Sequence, residues 1–168
     1  SFMKKIIYNE ENLNEKDATI FSKRVKLLVE NSKEEILLVD TYDNAFFIGG
    51  HIEGDETDLD CLIREIREEG GVDFIPVLDE PFFEIKYLYT DGDAVKLHLA
   101  HYYAMKTDNL IPNESNLLLT PEEASNEFHP IYVPKSEAID FVMSRMKVAK
   151  RPMVARDTLD ALRVYLQK

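Results

Sequence analysis

The sequence predicts a mixed domain, either α+β or layered α/β/α. Three observations carry this. Val- and Leu-rich runs bounded by turn residues read as strands, and an apolar stripe at helical spacing follows a glycine pair. Strands and helices also mix without regular βαβ alternation.

In chain order, "RVKLLVE" from Arg24 and "EILLVDT" from Glu35 are two strands, and the "NSK" between them makes a hairpin. "NAFFIGG" is a short apolar run ending on Gly49-Gly50. A helix is expected from Asp58 to Glu69, capped by Thr57 or Asp58 and closed by Gly70 or Gly71. "FFEIKYLYT" and "AVKLHLAHYYAM" flank Asp91-Gly92-Asp93, a second hairpin. Residues 106–130 form a polar connection in which "TPEE" opens a short helix with proline at its first position. "IYV" is a short strand, and helices at 136–147 and 157–167 flank the basic "KVAKRP".

The length of 168 residues suits one domain over 1–168, given usual domains of about 100–200 residues. Ser1 and Phe2, ahead of Met3, read as an appendage and are set aside. Hydrophobic residues make up 45% of the chain, enough for a core, and no apolar run is long enough to span a bilayer. The polar turn after "MKKIIY" does not read as a signal peptide. A lone cysteine, Cys61, makes no internal disulfide, so a reducing cytoplasm is the expected compartment. The net charge of −12 argues against a nucleic-acid partner and leaves divalent cations to mediate any contact with phosphates.

The helix at 58–69 holds the informative chemistry. Leu59, Leu62, Ile63 and Ile66 follow a core-facing stripe, while Glu65, Glu68 and Glu69 share another face. The centres of the two faces are roughly 120° apart. Like charges one turn apart repel, and acids in a last turn oppose the helix dipole. A hard divalent cation with oxygen ligands resolves that conflict.

The preceding residues complete the pattern. "GHIEGDETDLDCLIREIREEGGV", Gly50 to Val72, resembles the Nudix box at every specified position: Gly50, Glu56, Arg64, Glu65, Ile66, Glu68, Glu69, Gly71 and Val72. One departure is mild: Cys61 and Leu62 stand where family members often carry alanines. The resemblance implies an α/β/α sandwich with a mixed central sheet. It also implies a Mg²⁺- or Mn²⁺-dependent hydrolase of nucleoside diphosphate derivatives, acting on a nucleotide-type small molecule. By the same resemblance, Glu65, Glu68, Glu69 and the Gly50 carbonyl would bind metal, and Arg64 and Glu56 would orient the acids. Glu65 or Glu68 would accept the proton of the attacking water. Some relatives add a carboxylate from outside the box, for which Glu127 is selected here among Glu122, Glu123 and Glu127.

Elsewhere the signals are thinner. Tyr87 and Tyr89 lie close together, and Tyr89 falls where relatives acting on diadenosine polyphosphates tend to carry a tyrosine, which could stack on an adenine. Arg24 and Lys26 on the first predicted strand are candidates for substrate phosphates. His98 and His101 point to opposite faces of a strand, which excludes a shared metal. Cys61 reads as a small packing residue. The alternative function is a nucleotide-ligand sensor that kept the fold without turnover, although no box residue is lost. An isoprenoid diphosphate isomerase on the same fold lacks a second cysteine. The sequence leaves open whether the chain forms a homodimer.

Overall fold

The computed structural model describes residues 3–125 and 127–167. Ser1 and Phe2, set aside above, lie outside the described residues. The elements are β1 (Lys4–Tyr8), β2 (Ala18–Glu30), β3 (Glu35–Asp40), β4 (Ala45–Phe46), β5 (Ile48–His51), α1 (Asp58–Gly70), β6 (Phe83–Asp91), β7 (Ala94–Lys106), α2 (Pro121–Ser125), β8 (His129–Pro134), α3 (Lys135–Met146) and α4 (Pro152–Leu166).

The expected mixed sheet is present. The strand order is β1-β6-β7-β2-β3-β4, with β5 also on β2 and β8 also on β3. The β1–β6 and β2–β7 pairs are parallel, and the others are antiparallel. Alternation along the strands builds two cores. Val25, Leu27 and Val29 of β2 and Leu37 and Val39 of β3 pack with Leu62 and Ile66 of α1. Leu28, Ile36 and Leu38 pack on the other side with Val142 of α3 and Leu159 and Leu162 of α4. Period-two strands with both faces apolar are what a sheet between helical layers requires.

Both predicted hairpins form. Asn31 Oδ1 accepts from the Lys33 and Glu35 amides in the first, and Gly92 takes the left-handed position (φ 63°) in the second. The helix of the acids is α1, capped by Thr57 through a reciprocal hydrogen-bond pair with Asp60 and closed by left-handed Gly71. Its first turn is pinned to the sheet: Lys23 Nζ lies 2.8 Å from Asp58 Oδ1, and Tyr103 donates to Asp58 Oδ2 at 2.5 Å.

Three boundaries differ from the sequence reading. β1 has no counterpart there, because a largely exposed edge strand with a parallel, non-local partner carries little local signal. β2 starts at Ala18 rather than Arg24, extended by its parallel ladder with β7. α4 starts at Pro152 rather than 157, with proline in the first turn, where its missing N–H costs nothing. Within the 106–130 connection, Leu110, Leu117, Leu119 and Phe128 pack on the α1-side core, so the segment is anchored. Among the described residues no helix is long and apolar enough to cross a membrane.

Candidate active site

The site forms where β5 meets the second half of α1. Its floor is Gly49-Gly50, and both glycines are needed. Gly49 has φ 144°, and a Cβ there would lie 2.0 Å from the Val25 carbonyl oxygen. At Gly50 a Cβ would lie 2.4 Å from Glu65 Oε1. The space a side chain would fill at Gly50 is taken by a carboxylate.

The acids do not stand where helical periodicity puts them. Glu65 and Glu69 are buried together with Cys61, Leu62 and Ile66, while Leu59 and Ile63 are only half-buried. The helix therefore turns two of its three acids toward the sheet. This is tolerable because the glycine pair makes room and polar partners wait there. Glu69 Oε1 accepts from the Gly49 amide at 2.9 Å. Lys26 Nζ donates to the carbonyls of Phe47 (3.2 Å) and Gly49 (3.1 Å), and its charge acts on both Glu65 and Glu69.

Arg64 ties the remaining pieces together. Its Nε and Nη2 reach the two oxygens of Glu56 at 2.7 and 2.9 Å. Its Nη1 reaches Glu65 Oε1 at 2.9 Å and Glu68 Oε2 at 3.3 Å, and Nη2 also donates to the His51 carbonyl at 3.0 Å. Glu56 in turn accepts from the Glu53 amide at 2.9 Å. One guanidinium thus fixes the loop, two acids of the helix and the end of β5. A planar fork suits this role better than a lysine.

Burial dominates the electrostatics. It pushes Glu69 up to about 8 against the pull of Lys26, and it raises Glu65 against Arg64 and Lys26. Burial also lifts Cys61 to about 12, so its thiol stays protonated, as a packing residue's would. Glu123 adds repulsion at Glu69 and caps α2 by accepting from the Thr120 amide at 2.9 Å. Glu127 sits exposed just beyond α2 at φ 49°.

Among the described residues no three His, Cys, Asp or Glu side chains are gathered as a closed metal centre. The acids are braced by Arg64 and Lys26 instead. The donor set still fits a hard cation. It is all oxygen, it comprises three carboxylates and a backbone carbonyl beside a glycine, and two of those carboxylates are buried with raised pKa values. An added cation relieves that burial cost.

Beside the acids lies a cavity of about 570 Å³ between the sheet and the first turns of α4. Arg24 and Tyr89, both candidates from the sequence, line it, as do Tyr87 and His98. His98 meets Ser22 Oγ at 2.5 Å, and burial with nearby Arg24 pushes it down to about 4. His101 instead meets Glu84 at 2.7 Å, so the two histidines part as expected.

Sequence reading missed Tyr8, His51, Arg156 and Asp157 on the same cavity. The Tyr8 and Tyr87 rings stack at 5.0 Å, and the Arg156 guanidinium lies over Tyr8 at 3.9 Å. Tyr87 donates to Asp157, whose carboxyl burial lifts to about 6. No local pattern marks these residues, since β1 and α4 reach the cavity only through tertiary packing. His51, adjacent to Gly50, was the one within reach of motif reasoning.

The NUDIX domain model matches residues 21–156. The mRNA-decapping protein g5R of African swine fever virus (strain Badajoz 1971 Vero-adapted) is 30% identical over 135 residues, which are 76% of this chain and 53% of the viral protein. The chain therefore spans about half the length of the curated relatives it matches. Two solved structures share the fold. The MutT protein of Methanosarcina mazei Go1 superposes with a TM-score of 0.52 at 15% identity, covering 89% of this chain and 98% of that one. The Ap4A hydrolase of C. elegans does so with a TM-score of 0.51 at 16% identity, covering 88% and 98%. The Gly50–Val72 signature folds here into one loop-and-helix unit inside the region that the domain model spans, and the chain belongs to the Nudix family.

Proposed function

We propose that this chain hydrolyses the phosphoanhydride linkage of a nucleoside diphosphate derivative with the help of Mg²⁺ or Mn²⁺. The observation that carries the reading is the convergence of Glu56, Glu65 and Glu68 on one arginine, beside a glycine whose missing side chain makes room for Glu65. Glu65, Glu68, Glu69 and the Gly50 carbonyl would hold the cation. When bound, it supplies charge neutralisation at the phosphate oxygens and a more acidic water.

The chain's own residues divide the remaining work. Arg64 orients Glu65 and Glu68 and holds the loop through Glu56. Glu68 is assigned as proton acceptor because its side chain is 37% exposed, against 11% for Glu65, so incoming water reaches it first. Lys26 stabilises the turn through two carbonyls and offsets the buried acids.

The viral relatives are named for mRNA decapping. An mRNA cap is joined through phosphoanhydride bonds, so a capped oligonucleotide belongs on the same substrate panel as nucleoside triphosphates, dinucleoside polyphosphates and nucleotide sugars. The test is hydrolysis of that panel with Mg²⁺ or Mn²⁺ by the wild type, Glu68→Gln and Glu69→Gln. Both variants should keep the fold and lose at least about a hundredfold in kcat. Wild-type rates in both would overturn the assignment, and tight binding of panel members without turnover would favour a ligand sensor.

A further inference from the structure

The half-buried cations of this acidic chain fall into two groups, apart from Lys26, which is held by the Phe47 and Gly49 carbonyls. Lys23, Arg64, Lys86, Lys135 and Arg145 each contact a carboxylate directly. On the cavity beside α4, Arg24, Lys96 and Arg156 have no carboxylate oxygen within ion-pair distance among the described residues. Arg24 donates to His51 Nε2 at 3.1 Å, Arg156 to the Tyr87 hydroxyl at 2.8 Å, and Lys96 lies 5.9 Å from the Tyr89 ring. Arg156 Nε is buried with no hydrogen-bond partner. In a protein of net charge −12, three half-buried cations without an ion pair gather on one concave wall.

Glu10, Glu11 and Asp157 line the same cavity, and none of them forms an ion pair with Arg24, Lys96 or Arg156 among the described residues. Glu11 is engaged by the Thr90 amide and hydroxyl, and Asp157 accepts from Tyr87. One residue links the cavity lining to the acidic centre. The His51 carbonyl accepts from Arg64 while its ring accepts from Arg24.

The geometry points to an anion subsite in which Arg24, Lys96 and Arg156 hold a phosphate group of the substrate other than those flanking the bond that is cut. This rests on the proposed hydrolase reading and narrows it. Nucleoside triphosphates and dinucleoside polyphosphates are preferred over nucleotide sugars, which carry only the two phosphates of the scissile link.

The probe is inorganic tripolyphosphate, titrated calorimetrically into the full chain in buffer with chelator, so that no divalent cation contributes. Wild type should bind saturably. Arg24→Gln and Lys96→Gln should each weaken binding about tenfold, the scale of one charged hydrogen bond. Glu68→Gln should bind at least as tightly as wild type. Lys96→Gln removes a half-buried group with no ion pair, so its melting temperature should match wild type and secure the comparison if Arg24→Gln proves unstable. In hydrolysis assays the preference for triphosphate over nucleotide sugar should fall about tenfold in the same variants. No binding by wild type, equal binding by Lys96→Gln, or an unchanged substrate preference would overturn the subsite. A wild type that binds tripolyphosphate yet cleaves nothing on the panel would refute the hydrolase reading and leave the anion site standing.

Discussion

Gly49 and Gly50 are neighbours with the same side chain and different duties. A methyl group at Gly49 meets backbone, the Val25 carbonyl, at a left-handed φ, and nothing there can yield. Gly49→Ala should therefore destabilise the fold by about 3 kcal/mol or more, read by denaturant unfolding. A methyl at Gly50 meets only the end of the Glu65 side chain. Gly50→Ala should keep most of the stability and displace the carboxylate, losing about a hundredfold in kcat, as a displacement of about 1 Å at a reacting centre does. A Gly50→Ala protein that is fully active would contradict the placement of Glu65. Cys61 is the contrasting case. Its thiol is buried and held protonated, so Cys61→Ala should leave turnover within about twofold of wild type, and alkylating reagents should not modify the folded chain.

At the level of elements, α1 was legible because its signals are local: a cap residue, an apolar stripe, a closing glycine. Thr57→Ala removes the cap that accepts from the Asp60 amide and should cost about 1 kcal/mol in chemical denaturation. The burial of Glu65 and Glu69 was not legible. It depends on which face of α1 meets β5, and that is decided by the room beside Gly50 and by Lys26 on a different strand. β1 and the first turns of α4 escaped for the same reason, and with them part of the cavity wall.

The tie between α3 and β3 gives a pH test. Arg145 grips Asp40 through two hydrogen bonds of 2.8 and 2.9 Å. Burial alone would raise the Asp40 carboxyl, but Arg145 and the Tyr42 amide outweigh it and hold the group below the ordinary aspartate range. A depressed folded pKa contributes stability above the unfolded value of about 3.9, and that contribution is lost as pH falls through the folded value. Asp40→Asn should thus cost about 1–2 kcal/mol at neutral pH and progressively less in acid, measured by denaturant midpoints across that range. An equal deficit at every pH would assign the loss to packing instead.

Across the whole molecule, one sheet serves two purposes. Its α1 side carries the acids, and its α4 side carries the cation-lined cavity, with His51 at the seam. The family and the acidic centre could be read from 23 consecutive residues, Gly50 to Val72, because chain order brings them together. The cavity could not, because β1, β2, β5, β6, β7 and α4 assemble it from across the chain. The central claim is that the α1 acids form a divalent-cation site for phosphoanhydride cleavage. Its most direct test is calorimetric titration of Mn²⁺ into wild type and into the Glu65→Gln/Glu69→Gln double variant, each with a non-hydrolysable nucleotide analogue present. Saturable uptake by wild type and its loss in the double variant is the predicted result. Equal uptake by both proteins, or none by wild type at millimolar cation, would contradict the account.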